Sequence, residues 1–293
     1  MTDSAFTRMF RCRYPLQLAS MGGSASPTLP IAVSNAGGLG MLSGTVGGHA
    51  LAAQLEAVPD GLPIGVNFLM PFLDMAAVAI AAERTALVEF FWGEPDGALV
   101  DAAHAGGARA AWQVGSVDEA LAAVNAGCDV VVAQGVAAGG HVRGTTPWRD
   151  LLAQVRPIVE GPLVIGGGIG TRSDVVAALE AGADAVRIGT RFLAAAESPA
   201  HPDYVDRLIE AKSDDTVLTT AFGDGWPDAP HRVLASCVEA GEARGARQSW
   251  APDWPTADFD GDVSSRALYA GQSVGAVRAR QPAAEIVAEL MGD

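Results

Sequence analysis

The chain has 293 residues, of which 49% are hydrophobic and 18% charged, so it can bury one large core or two smaller ones. Its 34 acidic residues outnumber 19 basic ones, and a net charge of -15 disfavours binding to nucleic acid and to anionic membrane surfaces. Three dispersed cysteines without a CxxC pair form neither a zinc motif nor a disulfide framework, which indicates a reducing compartment.

Short apolar runs alternate with Ala-rich stretches as far as about residue 193. The runs predict eight strands, at residues 15–19, 38–42, 64–69, 87–91, 109–114, 129–133, 163–165 and 185–188. The stretches between them have helical spacing, as in 117–126 and 173–180, where a Ser or Asp begins the helix and a glycine ends it.

Strands 129–133 and 163–165 are apolar throughout rather than alternating. This pattern indicates strands that are buried on both faces, as in parallel sheets. Eight strand–helix units of about 25 residues favour an α/β fold that closes as a (β/α)8 TIM barrel. Periodicity alone leaves an open, doubly wound sheet as the alternative.

The regular alternation of apolar runs and Ala-rich stretches ends by about residue 196. Helices are predicted at 201–212 and 283–291, a long loop at 216–232, and an irregular Trp/Pro/Asp-rich stretch at 250–261. We therefore predict a barrel core at 1–195 and an appended C-terminal helical and loop region at 196–293 that covers the barrel mouth. The stretch at 250–261 suits either a lid or a homodimer contact.

Glycine-containing segments follow the last two predicted strands, with GGGIG at 166–170 and RIGT at 187–190. Loops at the carboxyl ends of the seventh and eighth barrel strands commonly bind phosphate. Glycines let backbone N–H groups converge on phosphate oxygens, and a following helix directs its positive end at them. The alternative is that these glycines only make tight turns.

Polar side chains also follow earlier strands. Gln134 ends the sixth strand, and its amide can donate to and accept from the edge of a flavin ring. His141 follows a glycine pair in the same loop and can act as a base or a hydrogen-bond donor. Asn67 ends the third strand; it can hold a polar ring edge or cap the turn before Pro71. A loop histidine bonded to backbone is the alternative for His141.

Other barrel chemistries fit poorly. The chain has one lysine, Lys212, which lies beyond the predicted strands, whereas a Schiff-base aldolase needs a lysine on a strand. No His-x-His motif or paired carboxylates at a strand end indicate a metal site, so we expect no bound metal.

Taken in order, several strings resemble the nitronate monooxygenase (2-nitropropane dioxygenase) family. They are VSNAGGLGM at 33–41, GVN at 65–67, QGVAAGGH at 134–141, GGGI at 166–169, GTRFLAAAES at 189–198 and YAGQ at 269–272. Each string is weak alone, whereas their joint order and spacing are specific. The resemblance runs from residue 15 to about 198, with the short piece near the C-terminus.

The resemblance implies an FMN enzyme that oxidises alkyl nitronates with O2 and without a metal. It implies that His141 is catalytic, taking the α-proton of a nitroalkane or positioning the anionic nitronate. By motif position, the residues implied to contact the flavin or its phosphate are Met21, Gly22, Asn67, Gln134, Gly139, Gly140, Gly167, Gly168, Arg187, Ile188, Gly189 and Thr190.

Three departures from the family pattern affect the substrate pocket more than the cofactor site. Ala137 stands where the family often has an acidic residue, the stretch 92–108 is short, and no proline precedes Met21. Two alternatives therefore stay open. One is an NAD(P)H-dependent FMN reductase of enoyl thioesters or quinones, and the other is a flavin-binding protein with little turnover.

The N-terminal residues 1–14 carry charges and no apolar core of a signal peptide. No apolar run reaches membrane-spanning length. We therefore expect a soluble cytoplasmic protein whose partners are a small-molecule substrate and O2.

Overall fold

The computed structural model describes residues 3–24, 26–245 and 250–293. Its strands, in chain order, are β1 (Leu16–Leu18), β2 (Gly40–Ser43), β3 (Ile64–Leu69), β4 (Leu87–Phe91), β5 (Arg109–Val114), β6 (Val130–Gln134), β7 (Gly140–His141), β8 (Leu163–Gly166), β9 (Ala185–Ile188), β10 (Thr216–Thr219) and β11 (His231–Leu234).

Eight of these strands form one parallel sheet in the order β1-β9-β8-β6-β5-β4-β3-β2. The two outer strands meet through a parallel bridge between Gln17 and Leu39. There the Leu18 N–H donates to the Leu39 carbonyl at 2.9 Å, and the Leu39 N–H donates to the Leu16 carbonyl at 2.8 Å. The sheet therefore closes, and the predicted eight-stranded α/β barrel is confirmed.

The helices are α1 (Ala5–Phe10), α2 (Thr28–Asn35), α3 (Gly48–Glu56), α4 (Met75–Arg84), α5 (Gly97–Gly106), α6 (Val117–Asn125), α7 (Trp148–Val155), α8 (Arg172–Glu180), α9 (Thr190–Leu193), α10 (Pro202–Glu210), α11 (Ala235–Ala243) and α12 (Ala283–Met291). The last of them, α12, packs against α2 and α8. Its Ile286, Val287 and Leu290 belong to the main hydrophobic core, so the end of the chain is part of the helical layer around the barrel.

Side-chain alternation divides the barrel interior into layers. Near the amino ends of the strands, apolar residues such as Leu87 and Val132 pack with Phe6 and Phe10 of α1. The next inward position along β4 is Glu89, which is fully buried. Because successive strand residues point to opposite faces, the polar layer lies directly above the apolar one and below the carboxyl ends of the strands.

The predicted loop at 216–232 is wrong in part, because it contains β10 and the start of β11. These strands pair antiparallel with each other, and β11 pairs with β7, so that His231 lies opposite His141. They were missed because they lie outside the regular strand–helix alternation and the segment between them is rich in Gly, Pro and Asp. The division into a barrel core at 1–195 and an appended region at 196–293 stays a prediction.

No helix within the described ranges is both long and apolar enough to span a bilayer.

Replacing Leu290 by alanine tests whether α12 is an essential part of the helical layer. Leu290 is 1% exposed, so we expect Leu290→Ala to lower the free energy of unfolding by about 2–5 kcal/mol, measured by urea denaturation. Leu121→Ala is the matched control, because Leu121 on α6 is 47% exposed and its loss should cost less than about 0.5 kcal/mol. Equal effects from the two variants would contradict this packing.

Candidate functional site

A cavity of about 530 Å³ opens at the carboxyl ends of the barrel strands, within the size range of small-molecule and cofactor pockets. It is where a barrel of this type carries its active site. Of the residues implied by the sequence, those that line it are Met21, Gly22, Asn67, Gln134, Gly139, Gly140, His141, Gly167, Gly168, Arg187, Gly189 and Thr190.

Ile188 is the exception among these residues. It is fully buried in the core between barrel and helices, whereas its neighbours Arg187 and Gly189 line the cavity. The two-residue period of a strand requires this, because the side chain between two inward positions points outward. Any contact between Ile188 and a ligand would have to come from its backbone.

Two glycines form a cradle beneath one end of the cavity. Gly167 and Gly168 have φ values of +104° and +88°, which favour glycine. A Cβ on Gly168 would lie 2.9 Å from the Cβ of Ala137, and one on Gly167 would lie 2.8 Å from the backbone nitrogen of Gly135. Both glycines are therefore required for close packing against the loop after β6, and both leave bare backbone at the lining of the cavity.

The start of α8 does not contribute to this cradle as the sequence suggested. The Asp174 carboxylate accepts from the N–H groups of Gly170 and Thr171, at 3.3 and 3.1 Å, and the Thr171 hydroxyl accepts from the Asp174 N–H. This capping box occupies donors that a phosphate would otherwise use. Backbone groups at Gly167, Gly168, Gly189 and Thr190 are left for that role.

A buried polar network forms the floor of the cavity. Glu89 accepts hydrogen bonds from Gln17 at 3.1 Å and Asn67 at 2.7 Å, and it forms an ion pair with Arg187. Arg187 also donates to Gln113. The Arg187 guanidinium is thus engaged inside the barrel, and its backbone pairs with β1 and β8, so the phosphate contact that the resemblance implied stays a prediction.

Sequence reasoning missed Glu89 and Gln113. A signal was present for both, since each is the one polar residue in the interior of its predicted strand, in LVEFF and RAAWQV. Burying a charge is costly unless it is paired, so a glutamate in such a strand indicates a partner elsewhere in the barrel. The partner itself could not be read from the sequence.

The loop that carries His141 is held by Gln134. The Gln134 amide donates to the His141 carbonyl at 3.0 Å, and its oxygen accepts from the Arg143 N–H at 3.5 Å. The Gln134 amide, which was predicted to face a ring edge, therefore forms these two hydrogen bonds with the backbone of its own loop. Gln134 still lines the cavity, where it positions His141.

Aromatic rings surround the His141 imidazole. The Trp226 ring is stacked on it at 4.1 Å between centroids, and the Trp92 ring meets it edge-on at 5.7 Å. Burial, and to a lesser degree the neighbouring His231, lowers the pKa of His141 to about 3. The imidazole is therefore neutral near pH 7 and lines the cavity.

His231 holds the segment that carries Trp226. Its Nδ1 donates to the Ala229 carbonyl at 2.9 Å, and its Nε2 accepts from the Phe222 N–H at 3.2 Å. Accepting at Nε2 fixes the tautomer with the proton on Nδ1, and burial lowers the pKa of His231. A neutral histidine therefore ties the loop between β10 and β11 to the strand beside His141.

The C-terminal region completes the cavity wall. Pro252, Trp254 and Tyr269 line the cavity, and the Trp254 indole donates to the Gly22 carbonyl at 2.6 Å. The Gly271 N–H donates to the Thr190 hydroxyl at 3.0 Å. The Trp/Pro-rich stretch therefore contributes to the wall of the cavity, and the lid and the homodimer contact stay predictions.

Comparison with known proteins places this architecture in a family. The family model described as "Nitronate monooxygenase" matches residues 3–79 and 72–293. The chain belongs to the nitronate monooxygenase family. A nitronate monooxygenase of Pseudomonas aeruginosa is 32% identical over 356 aligned positions, which cover 99% of each chain. A probable nitronate monooxygenase of Staphylococcus aureus is 30% identical over 269 positions, covering 74% of this chain and 75% of that protein.

Solved structures share the barrel and its additions. FabK from Thermotoga maritima superposes with a TM-score of 0.84 at 27% identity, over 100% of this chain and 96% of that chain. A nitroalkane oxidase from Streptomyces ansochromogenes gives a TM-score of 0.83 at 28% identity, over 99% and 97%. As a member of the nitronate monooxygenase family, the chain is a flavin-dependent oxidoreductase that acts on a small molecule.

The alignment with the Pseudomonas aeruginosa enzyme is longer than this chain of 293 residues. That relative therefore carries insertions that this chain lacks. The short stretch between β4 and β5, which holds only α5, agrees with the departure noted in the sequence.

Gly168→Ala tests the cradle. A Cβ at this position both strains the positive-φ backbone and fills space beside Ala137, so we expect the purified variant to retain less than about a tenth of the wild-type flavin, at a strain of about 1–3 kcal/mol. Gly107→Ala is the matched control, with φ +97° and nothing within 4 Å of an added Cβ. Flavin content is read from visible absorbance, and equal flavin in both variants would rule the cradle out.

Proposed function

We propose that this chain uses FMN to oxidise alkyl nitronates with O2, and that His141 is the residue that positions the substrate. The observation that carries the proposal is the His141 imidazole at the mouth of the cavity, neutral and without a hydrogen bond from its ring nitrogens to any described residue. Relatives named nitronate monooxygenase and nitroalkane oxidase support the same substrate class.

The residues present fit FMN. The backbone of Gly167, Gly168, Gly189 and Thr190 would hold its phosphate, and the polar floor around Asn67 would lie against its ring. When bound, FMN would accept electrons from the substrate carbon and pass them to O2. The protein contributes the binding, the orientation and the walls that separate this chemistry from bulk water.

The state of His141 favours nitronates over neutral nitroalkanes. An effective general base has a pKa near the working pH, whereas burial lowers the pKa of His141 to about 3. A group with so low a pKa is a poor acceptor for the α-proton of a carbon acid. A neutral imidazole can, however, donate its one N–H to an anionic nitronate oxygen.

The alternative of an NAD(P)H-dependent reductase has one observation in its favour, the similarity to FabK over the whole chain. The cavity argues against it. Among the lining residues that the structure describes, Arg187 is the one Lys or Arg, and Glu89 neutralises it. With the glycine backbone assigned to the FMN phosphate, the further phosphates of a nicotinamide cofactor or of a coenzyme-linked thioester would meet no free cation there.

Replacing His141 by alanine tests its assignment. We expect His141→Ala to keep its flavin and to lose at least about 100-fold in kcat/KM for a nitronate, measured by oxygen uptake. His49→Ala is the control, because His49 is exposed on α3 and its variant should match the wild type. Unchanged kcat/KM in His141→Ala would remove the histidine from the reaction.

A comparison of a nitronate with its parent nitroalkane tests which protonation state of the substrate the enzyme oxidises. With preformed nitronate we expect kcat/KM to show no inflection between pH 5 and about 8, since a pKa of about 3 leaves His141 neutral throughout that range. The corresponding nitroalkane, freshly dissolved, should be consumed only as fast as it ionises in solution. Fast turnover of the neutral nitroalkane, limited by a group titrating near pH 6.5, would contradict this assignment.

Anaerobic mixing separates the two candidate functions. The holoenzyme should bleach rapidly with a nitronate and only slowly with NADH or NADPH, measured by stopped-flow absorbance of the flavin. The reverse order of rates would establish the reductase instead.

A further inference from the structure

The ion pair between Glu89 and Arg187 lies beneath the cavity. It determines which atoms of the Asn67 and Gln113 amides face the cavity. Glu89 is fully buried and is paired with Arg187, so it serves as an acceptor of hydrogen bonds. Asn67 donates to it through Nδ2 at 2.7 Å. Because the amide nitrogen is committed to Glu89, the carbonyl oxygen of Asn67 is the group left for the cavity that Asn67 lines.

Arg187 orients the Gln113 amide in the opposite sense to Asn67, with its oxygen towards the ion pair. A guanidinium can only donate, and Arg187 donates through Nη1 to the Oε1 of Gln113. Gln113 also lines the cavity, and no described residue accepts from its Nε2. The amide nitrogen of Gln113 is therefore the group left for a ligand.

We propose that the Glu89–Arg187 ion pair sets a hydrogen-bonding code on the cavity floor, with an acceptor at Asn67 and a donor at Gln113, that recognises the N–H and an adjacent carbonyl of an imide edge. The pyrimidine ring of a flavin has such an edge. This inference deepens the proposed function and rests on its FMN site. Glu89 and Arg187 are positioning residues, and Gln113 is a further contact residue for the ring.

The arrangement explains why a charged pair is buried at this level. Two neutral amides alone could rotate by 180° and exchange donor for acceptor. A carboxylate and a guanidinium cannot exchange these roles, so each amide is held in one orientation. The pair is largely shielded from water, because Glu89 is fully buried and Arg187, which borders the cavity, is only 8% exposed.

The direct test compares FMN with 3-methyl-FMN, in which the imide N–H is replaced by N–CH3. We expect wild-type apoprotein to bind 3-methyl-FMN at least about tenfold more weakly than FMN, about the value of one lost hydrogen bond together with an unpaired acceptor. In Glu89→Gln, the residue at 89 can also donate, so Asn67 loses its fixed orientation. The affinity ratio of the two flavins should then fall to about threefold or less.

Gln17→Met is the matched control for the flavin ratio. Gln17 also donates to Glu89 at 3.1 Å and lies outside the cavity lining, so its loss disturbs the same carboxylate without releasing Asn67. Its affinity ratio should equal that of the wild type. A ratio near one in the wild type, or the same ratio in Glu89→Gln as in the wild type, would overturn the proposal.

Gln113→Glu covers the case in which Glu89→Gln does not fold, since a buried Arg187 without its partner is costly. The new carboxylate would lie beside the Arg187 cation and would present an oxygen where the amide nitrogen was. We expect FMN to bind about tenfold more weakly, with an unchanged ratio between FMN and 3-methyl-FMN because Glu89 still orients Asn67. Wild-type affinity for FMN in Gln113→Glu would contradict the assigned donor.

The outcomes separate this inference from the proposed function. Discrimination between the two flavins without nitronate oxidation would sustain the floor code and reject the reaction. Nitronate oxidation without discrimination between the two flavins would sustain the reaction and reject the hydrogen-bonding code of the floor. If the wild type takes FAD in place of FMN, the same comparison with 3-methyl-FAD decides the floor code alone.

Discussion

The ion pair between Glu89 and Arg187 is the interaction around which the site is arranged. It lies in the barrel interior, above an apolar layer closed by Phe6 and Phe10 and below the cavity. Removing either partner would leave a buried charge without compensation. The pair therefore constrains strands β4 and β9 and, through Asn67 and Gln113, the polar surface that a bound ring would meet.

The wall opposite this floor comes from segments far apart in the chain. The loop with His141, the segment with Trp226 and the YAGQ piece meet through the β7–β11 ladder and through the Gly271–Thr190 hydrogen bond. A neutral His141 enclosed by aromatic rings suits a substrate that brings its own negative charge. In the proposed function, the polar floor would meet the cofactor and the aromatic wall would meet the substrate.

The eight barrel strands were predictable because each is a short apolar run in a regular alternation with Ala-rich helical stretches, a pattern typical of parallel strands joined by helices. The glycine cradle and His141 were predictable for a similar reason, since their motifs are contiguous in sequence. Strands β10 and β11 were not, because they lie outside that alternation and beside a segment rich in Gly, Pro and Asp. Trp226 and His231 act only through tertiary contacts with His141, which no local pattern records. The alternation of β9 turns the side chain of Ile188 into the core, so its predicted contact with the phosphate, which stays a prediction, would involve its backbone.

A crystal structure of the protein purified with its own flavin tests the central claim most directly. The account predicts that the pigment is FMN. Its phosphate would be bound by backbone N–H groups at Gly167, Gly168 and Gly189, and its pyrimidine edge would lie on Asn67 and Gln113, with His141 at the other side of the cavity. A phosphate bound by the Arg187 guanidinium, or a ring whose pyrimidine edge points away from Asn67 and Gln113, would contradict it.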